Sequence, residues 1–319
     1  MNGSPQRCAV PLSDQYGVYF EGFNADSAFE FYQAIRNSLP EADFPPTSQR
    51  AGGLLEIADD IDVFVFDAYG VLNVGSTPIA GATDTVAALR EMGKKLYVLT
   101  NSATFPAQKN FEKFQKFGFD FAPHEIISSR LGAQQYVETL PPLRWGVMGK
   151  LDSAPQDFNV ETRLLKDDPE DYDWAEAFLL LSTWEWNSKR QLLLDQAYEK
   201  QLKLMVVANP DVIAPLEAAF STEPGFIGHR IAKRFGAEVV FHGKPFPSVF
   251  EIVMRRLGPQ QPRRRIAMVG DTLHTDVLGG AAQGWSTVLV SDHGLFRGSD
   301  TAHPIAESKI VPTYIVPQI

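Results

Sequence analysis

The stretch IDVFVFDAYG, residues 61–70, decides the fold. Ile61 and the unbroken run Val63 to Phe66 are apolar and rich in β-branched or aromatic side chains, and they lead into Asp67 and Gly70. A strand with one wetted face alternates apolar and polar residues, whereas a short run without alternation has both faces covered, as in a parallel sheet. The carboxyl end of that strand therefore opens on a carboxylate. Working outward, GATDTVAALREMG (81–93) sets Val86 and Leu89 on one helical face and stops at Gly93. KLYVLTNS (95–102) reads as a second buried strand, PAQKNFEKFQKFG (106–118) as a helix opening on Pro106, and EIISS (125–129) as a third strand. This βαβαβ order implies an α/β protein whose parallel sheet is covered on both faces and whose ligands sit beyond the carboxyl ends of the strands.

From about 140 to 240 the pattern changes, with strands at RWGVMGK, AFLLLS and KLMVVA, a helix at SKRQLLLDQAYEK and a tryptophan-rich turn, TWEWN. Beyond it AEVVFHGKP, a helix PSVFEIVMRRLG, a strand RIAMVGD, a glycine-rich helix, WSTVLVSDHG and PTYIV resume the first pattern. A chain of 319 residues exceeds what one core usually supports, so two packed units are expected. The division that follows is an amino-terminal extension over 1–58, a main domain split into 59–139 and 241–319, and an inserted domain over 140–240. In the extension, SAFEFYQAIRNSL predicts one amphipathic helix through Ala28, Tyr32, Ile35 and Leu39, with Phe31 beside them, serving as a strap or as a contact between copies of the chain. FPPTSQRAGG (44–53) reads as a linker.

The net charge of −10 and pI near 5.1 argue against nucleic-acid or anionic-membrane partners, which need clustered Lys and Arg. The one dense basic run, Arg263 to Arg265, reads as a solvated connection before a strand. Cys8 is the single cysteine, so no disulfide forms within the chain, and a reducing compartment is expected. No run of eighteen apolar residues exists, and MNGSPQRCAVPLSDQ lacks the apolar stretch of a secretion signal, which places the protein in the cytoplasm.

Four strand-end clusters carry chemistry: FDAYGVL with Asp67, LTNS with Thr100, HGKP with Lys244, and VGDTLHTD with Asp271 and Asp276. A carboxylate at the tip of a buried strand is costly unless a cation compensates it, and Asp67 with Asp271 would converge on one metal ion. Magnesium suits the site, because it takes few carboxylates and bridges to phosphate oxygens. Thr100, nearby backbone amides and Lys244 would supply donors and positive charge to a bound anion. Taken singly, Thr100 and Asn101 read as helix caps, Lys244 as a surface lysine and Asp276 as a charge at a helix start. His242 and His274 read as loop or surface residues, and Trp184 and Trp186 as packing in the inserted domain in preference to closing over a substrate.

In this order the four clusters resemble motifs one to four of the haloacid dehalogenase superfamily, and DAYGVLNVGSTPIAGA followed by LTNSA resembles its NagD-like, or class IIA, branch. The resemblance spans about residues 58 to 319. It implies a Rossmann-like core with an inserted α/β cap between motifs two and three, and a phosphatase acting on a small phosphorylated metabolite. It makes Asp67 the nucleophile and a magnesium ligand, Thr100 the holder of phosphoryl oxygens, and Lys244 the group that neutralises both. It makes Asp271 a direct metal ligand, with Asp276 supporting the metal site and the backbone carbonyl of Tyr69 joining it. Asn101 helps through its backbone amide, and ANPDV, with Asn209 and Asp211, resembles the cap's substrate-contacting loop.

One position departs from the pattern. The branch's phosphatases carry a second aspartate in motif one as acid and base, where this chain has Tyr69. A phenol with its ordinary pKa near 10 donates a proton but is a poor base at neutral pH, so slow turnover or a stalled aspartyl-phosphate is expected. Two other readings stay open: a catalytically silent protein that binds a phosphorylated metabolite, and a haloacid dehalogenase, whose motif one also reads DAYG.

Overall fold

The computed structural model describes residues 24–215 and 220–319, so Cys8 and the first residues of the extension lie outside the described part. Seven parallel strands form the main sheet, in the order Gln49–Arg50, Tyr314–Val316, Ser286–Val290, Ile266–Gly270, Val63–Phe66, Lys95–Thr100 and Ile126–Ser128. Val63 to Phe66 lie in its middle with no exposed surface, which is why that segment tolerates no polar alternation. After this strand the chain builds outward through Lys95–Thr100, and after the insertion it returns to build outward from the other side through Ile266–Gly270. The strand order reverses between Val63–Phe66 and Ile266–Gly270, so a crevice opens past their carboxyl ends, at Asp67 and Asp271.

A second, five-stranded parallel sheet runs Val239–Phe241, Leu204–Val207, Ala177–Leu180, Arg144–Met148, Glu161–Leu164. It is the inserted α/β cap. The helix Ser188–Lys200 coincides with its predicted segment, capped by the Asn187 side chain accepting from Arg190 N–H. AEVVFHGKP, expected to resume the first sheet, instead places Val239–Phe241 at the edge of the second, paired with Met205 to Val207. Several elements carry no clear sequence signal. Glu161–Leu164 is an outer strand whose inward side holds only Thr162 and Leu164, and the pattern of the helix Pro224–Phe235 is interrupted by Gly225 and Gly228. Those glycines allow close packing. A Cβ on Gly225 would lie 2.0 Å from the Pro210 carbonyl oxygen, and one on Gly228 would lie 2.6 Å from Val207.

The extension differs from expectation in two ways. Its helix spans Ala25–Ala34, with Asn24 and Ser27 in a reciprocal cap and Ile35 already outside. Within the expected linker, Gln49–Arg50 is the outermost strand of the main sheet, held by Gln49 N–H to the Thr313 carbonyl (2.9 Å) and Ala51 N–H to the Ile315 carbonyl (3.1 Å). The helix bridges core and cap. Tyr32 stacks on His274 of the core at 5.0 Å and accepts a hydrogen bond from Val212 N–H of the cap (3.0 Å), while Phe31 packs on Phe226 at 5.1 Å. Arg130 makes a second bridge from the core helix Ser129–Val137, donating to the carbonyls of Ala103 and Ala154 and pairing with Asp157. Among the described residues no helix is long and apolar enough to cross a membrane.

Candidate active site

The strand ends bring Asp67, Asp271 and Asp276 together: one carboxylate oxygen of each lies within 4.8 Å of the others. Lys244 enters from the loop before the helix Pro247–Leu257, 1% exposed, its Nζ 2.5 Å from Asp67 Oδ1 and 2.7 Å from Asp276 Oδ1. Asp276 is fully buried, and its Oδ2 accepts from Thr272 N–H at 3.1 Å. Asp276 is the most buried of the three and is turned onto the Lys244 ammonium, which fits a place behind a metal ion rather than in direct contact with it. Asp271 Oδ1 accepts from the Thr272 hydroxyl (2.9 Å) and Oδ2 from Leu295 N–H (2.9 Å), which aims the carboxylate.

Two glycines make the approach possible. Gly70 has φ +75°, and a Cβ there would lie 2.4 Å from Asp271 Oδ2; one on Gly294 would lie 2.1 Å from the same oxygen. The glycine of DAYG therefore serves the opposite strand's aspartate as well as its own turn. The Tyr69 carbonyl accepts no hydrogen bond among the described residues, which leaves it available to a cation.

The charges show what the site lacks. Burial pushes the Asp67 carboxyl up to about 6, against the pull of Lys244. Burial, then Asp276 and Asp67, push Asp271 up to about 8. Burial opposes the Lys244 charge, yet Asp276, Asp67 and Asp211 together raise its pKa. One lysine does not neutralise two buried carboxylates and a partly buried third, and a divalent cation held by Asp67, Asp271 and the Tyr69 carbonyl would. The all-oxygen donor set is that of a hard cation such as magnesium.

Thr100 and Asn101 are buried and cap no helix, because the next helix, Ala107–Lys116, begins after Pro106. Thr100 Oγ1 accepts from Ser102 N–H (3.2 Å). The Asn101 amide is read in both directions. Its Oδ1 accepts from Lys244 N–H at 2.7 Å, and its Nδ2 donates to the Lys244 carbonyl at 3.0 Å and to Asp211 Oδ1 at 2.7 Å. The cap loop after Leu204–Val207 thereby closes on the core, with Asn209 Oδ1 accepting from Asp211 N–H (3.0 Å).

Two expectations need correction. His242 and His274 are buried, not surface residues. Burial pushes them down to about 4 and about 3, so both are neutral, one against Ser248 and Tyr136, the other against Tyr32 and Gln33. Trp186 packs as expected and donates to Gln191, but Trp184 is 73% exposed, beside Lys150. Arg263 to Arg265 form the expected connection before the strand Ile266–Gly270, with Arg263 and Arg264 exposed and Arg265 paired with Asp62 at 2.6 Å.

Other residues went unnoticed in the sequence. Lys113 holds its ammonium 4.3 Å above the Tyr69 ring, and burial lowers it to about 8. Glu223 accepts from Asn209 Nδ2 (2.8 Å) and the Ser221 hydroxyl (2.5 Å), and burial raises it to about 7. Lys113 interrupts the apolar face of a helix whose pattern otherwise predicts only packing, and Glu223 before Pro224 looks like any helix start. Burial, then Glu223 and Asp67, raise the Tyr69 phenol above its ordinary value.

Comparison with known proteins gives the same outline. Residues 64–154 match the family described as haloacid dehalogenase-like hydrolase, and 241–319 match a second, HAD-hydrolase-like family. The chain is 26% identical over 253 residues to an acid sugar phosphatase of Staphylococcus aureus, covering 79% of this chain and 92% of the relative. A possible sugar phosphatase of Cytophaga hutchinsonii superposes with a TM-score of 0.75 at 26% identity, covering 85% of this chain and 98% of that one. A p-nitrophenyl phosphatase of Archaeoglobus fulgidus shares the fold, at a TM-score of 0.68 and 24% identity over 81% of this chain and 97% of that one.

Proposed function

Because this chain belongs to the haloacid dehalogenase-like hydrolases, in their NagD-like branch, we propose that it is a magnesium-dependent phosphatase of small phosphorylated metabolites working through an aspartyl-phosphate on Asp67. The observation that carries this reading is the contact of Lys244 Nζ with Asp67 and Asp276 beside Asp271, at the point where the strand order reverses. The cation would rest on Asp67, Asp271 and the Tyr69 carbonyl, supplying charge to the phosphoryl oxygens.

Lys244 keeps the buried Asp67 carboxylate ionised near neutral pH and offers positive charge to the incoming phosphoryl group. Thr100 and the amide of Asn101 face the phosphoryl oxygens from the neighbouring strand end. Asp67 attacks phosphorus, the bond to the leaving oxygen breaks, and water then displaces the Asp67 carboxylate to release inorganic phosphate. With the cap loop closed on Asn101, bulk water is excluded, and Asn209 and Asp211 border the leaving group.

The retained metal carboxylates favour phosphate esters over halide displacement, which needs no metal. One observation favours a slow enzyme or a silent binder: the Tyr69 phenol, with its pKa raised, gives up its proton poorly and stays protonated, so it is a weak acid and offers no base. Phosphate release from a panel of small esters, with magnesium or with chelator, tests both. Magnesium-dependent turnover that vanishes in Asp67→Asn supports the phosphatase. Saturable binding of the esters without turnover supports the binder and overturns the enzyme.

A further inference from the structure

The reaction needs an acid at the leaving oxygen, and nothing among the described residues orients Tyr69 for that part. Its ring lies under the Lys113 ammonium, and its hydroxyl makes no hydrogen bond among the described residues that would aim it. We propose that Asp211 of the cap protonates the leaving oxygen, so that the acid missing from motif one is supplied by the opposite domain; the inference rests on the phosphatase reading above.

Geometry selects Asp211 from the carboxyl groups near the site. Asp276 has both oxygens engaged, by Lys244 and Thr272, and Asp271 has both engaged, by Thr272 and Leu295. Glu223 has both engaged too, by Ser221 and Asn209. Asp211 has one. Its Oδ1 accepts from Asn101 Nδ2 at 2.7 Å, and its Oδ2 accepts no hydrogen bond among the described residues.

Lys244 N–H occupies the Asn101 oxygen and so fixes which end of that amide meets Asp211. The donor to Asp211 Oδ1 is thus an N–H. That bond holds Oδ1 and leaves Oδ2 open to the site; by itself it favours the ionised carboxylate, so the proton is kept by burial and by the neighbouring negative charges. On the cap side the carboxyl is held through a chain of hydrogen bonds: the Ser221 hydroxyl to Glu223, Asn209 Nδ2 to Glu223, and Asp211 N–H to Asn209 Oδ1. Glu223 is therefore a positioning residue, and its buried carboxyl needs no access to substrate.

The surrounding charge keeps the proton in place. Asp211 faces Lys244, Asp67 and Asp276 from the core and Tyr32 from the amino-terminal helix. Burial first, then the negative charges of Asp67 and Asp276, raise its pKa well above the ordinary carboxyl value despite Lys244. With a divalent cation bound, Asp67, Asp271 and Asp276 are already balanced by that cation and Lys244, so a fourth carboxylate would be uncompensated.

In the first step Asp67 forms its bond to phosphorus, the bond from phosphorus to the leaving oxygen breaks, and the Asp211 proton passes to that oxygen, releasing an alcohol. In the second, the Asp211 carboxylate takes a proton from water as its oxygen bonds to phosphorus and the Asp67–phosphorus bond breaks. Asp211 is then protonated again. The acid reaches the site only with the cap closed, which couples proton transfer to exclusion of water.

The test compares an ester whose leaving group needs no proton, p-nitrophenyl phosphate, with an alkyl ester, glycerol phosphate, in the full chain with magnesium. Asp211→Asn keeps the Asn101 contact but carries no acidic proton. Its kcat on glycerol phosphate is expected to fall about 10²-fold or more, and its kcat on p-nitrophenyl phosphate less than about 10-fold, with KM for both little changed. Asp211→Glu is expected to regain part of the alkyl turnover, and Tyr69→Phe to keep the wild-type ratio of the two esters. Inhibition by inorganic phosphate reports that each variant retains a folded site. Equal losses on both esters, a change in KM alone, or a selective alkyl loss in Tyr69→Phe overturns the inference and leaves the phosphatase reading standing. A wild type inert on both esters, and on the wider panel, overturns the two together.

Discussion

Replacing Lys244 by Met tests whether the buried ammonium holds the site together. Its Nζ lies 2.5 Å from Asp67 and 2.7 Å from Asp276, and the residue is 1% exposed, so water does not take its place. Removing one partner of a buried ion pair typically costs about 3–5 kcal/mol, because the other charge is left uncompensated. The cost depends on pH, with a definite sign. In the folded chain Asp67 titrates at about 6 and Asp271 at about 8, both above the ordinary 3.8. The stability these groups contribute is fully present below their ordinary value and is lost as pH rises through 6 and then 8. Lys244→Met removes the charge that lowers the Asp67 pKa and so raises it further, and the penalty grows with pH. Urea unfolding in chelator is expected to show a loss of about 3–5 kcal/mol at pH 8 and a much smaller loss at pH 5. Turnover is expected to fall about 10²- to 10³-fold, because a cation aimed at developing charge is lost. An equal penalty at both pH values, or one below about 1 kcal/mol at pH 8, refutes the reasoning.

Three further outcomes follow from the geometry. Gly294→Ala, whose Cβ would meet Asp271 at 2.1 Å, is expected to abolish the thermal shift that magnesium gives the wild type; an unchanged shift would show that Asp271 does not hold the metal. Tyr32→Phe leaves the buried Val212 N–H without its acceptor and is expected to cost about 1–3 kcal/mol in urea unfolding and to raise KM, since Val212 adjoins Asp211. Magnesium is expected to raise Tm more at pH 8 than at pH 5, because protons compete for Asp67 and Asp271 below about 6 and about 8; a shift independent of pH would contradict that competition.

Sequence alone conveys the main sheet well because its strands are buried on both faces: Val63 to Phe66 has no alternative but a covered parallel strand. The carboxylates at the strand tips are legible for the same reason, since Asp67 and Asp271 follow runs that must be interior. The contacts between domains are not. Periodicity shows that Tyr32 faces something apolar, but not that this is His274 on one side and Val212 on the other. The helix carrying Gly225 and Gly228 is hidden because both glycines lower its helical propensity in exchange for contact with Pro210 and Val207. Gln49–Arg50 is an outer strand with no apolar residue and Glu161–Leu164 one with Leu164 alone, and strand patterns depend on a longer apolar face. Asn101 reads as a helix cap until the fold brings Lys244 and Asp211 to either end of its amide.

Mass analysis of the Asp67 peptide after acid quench during turnover of a phosphate ester tests the central claim most directly. The account requires that peptide to gain the mass of one phosphoryl group, transiently in the wild type and never in Asp67→Asn. Phosphate release that proceeds with no phosphoryl group on Asp67, or that persists in Asp67→Asn, would contradict it.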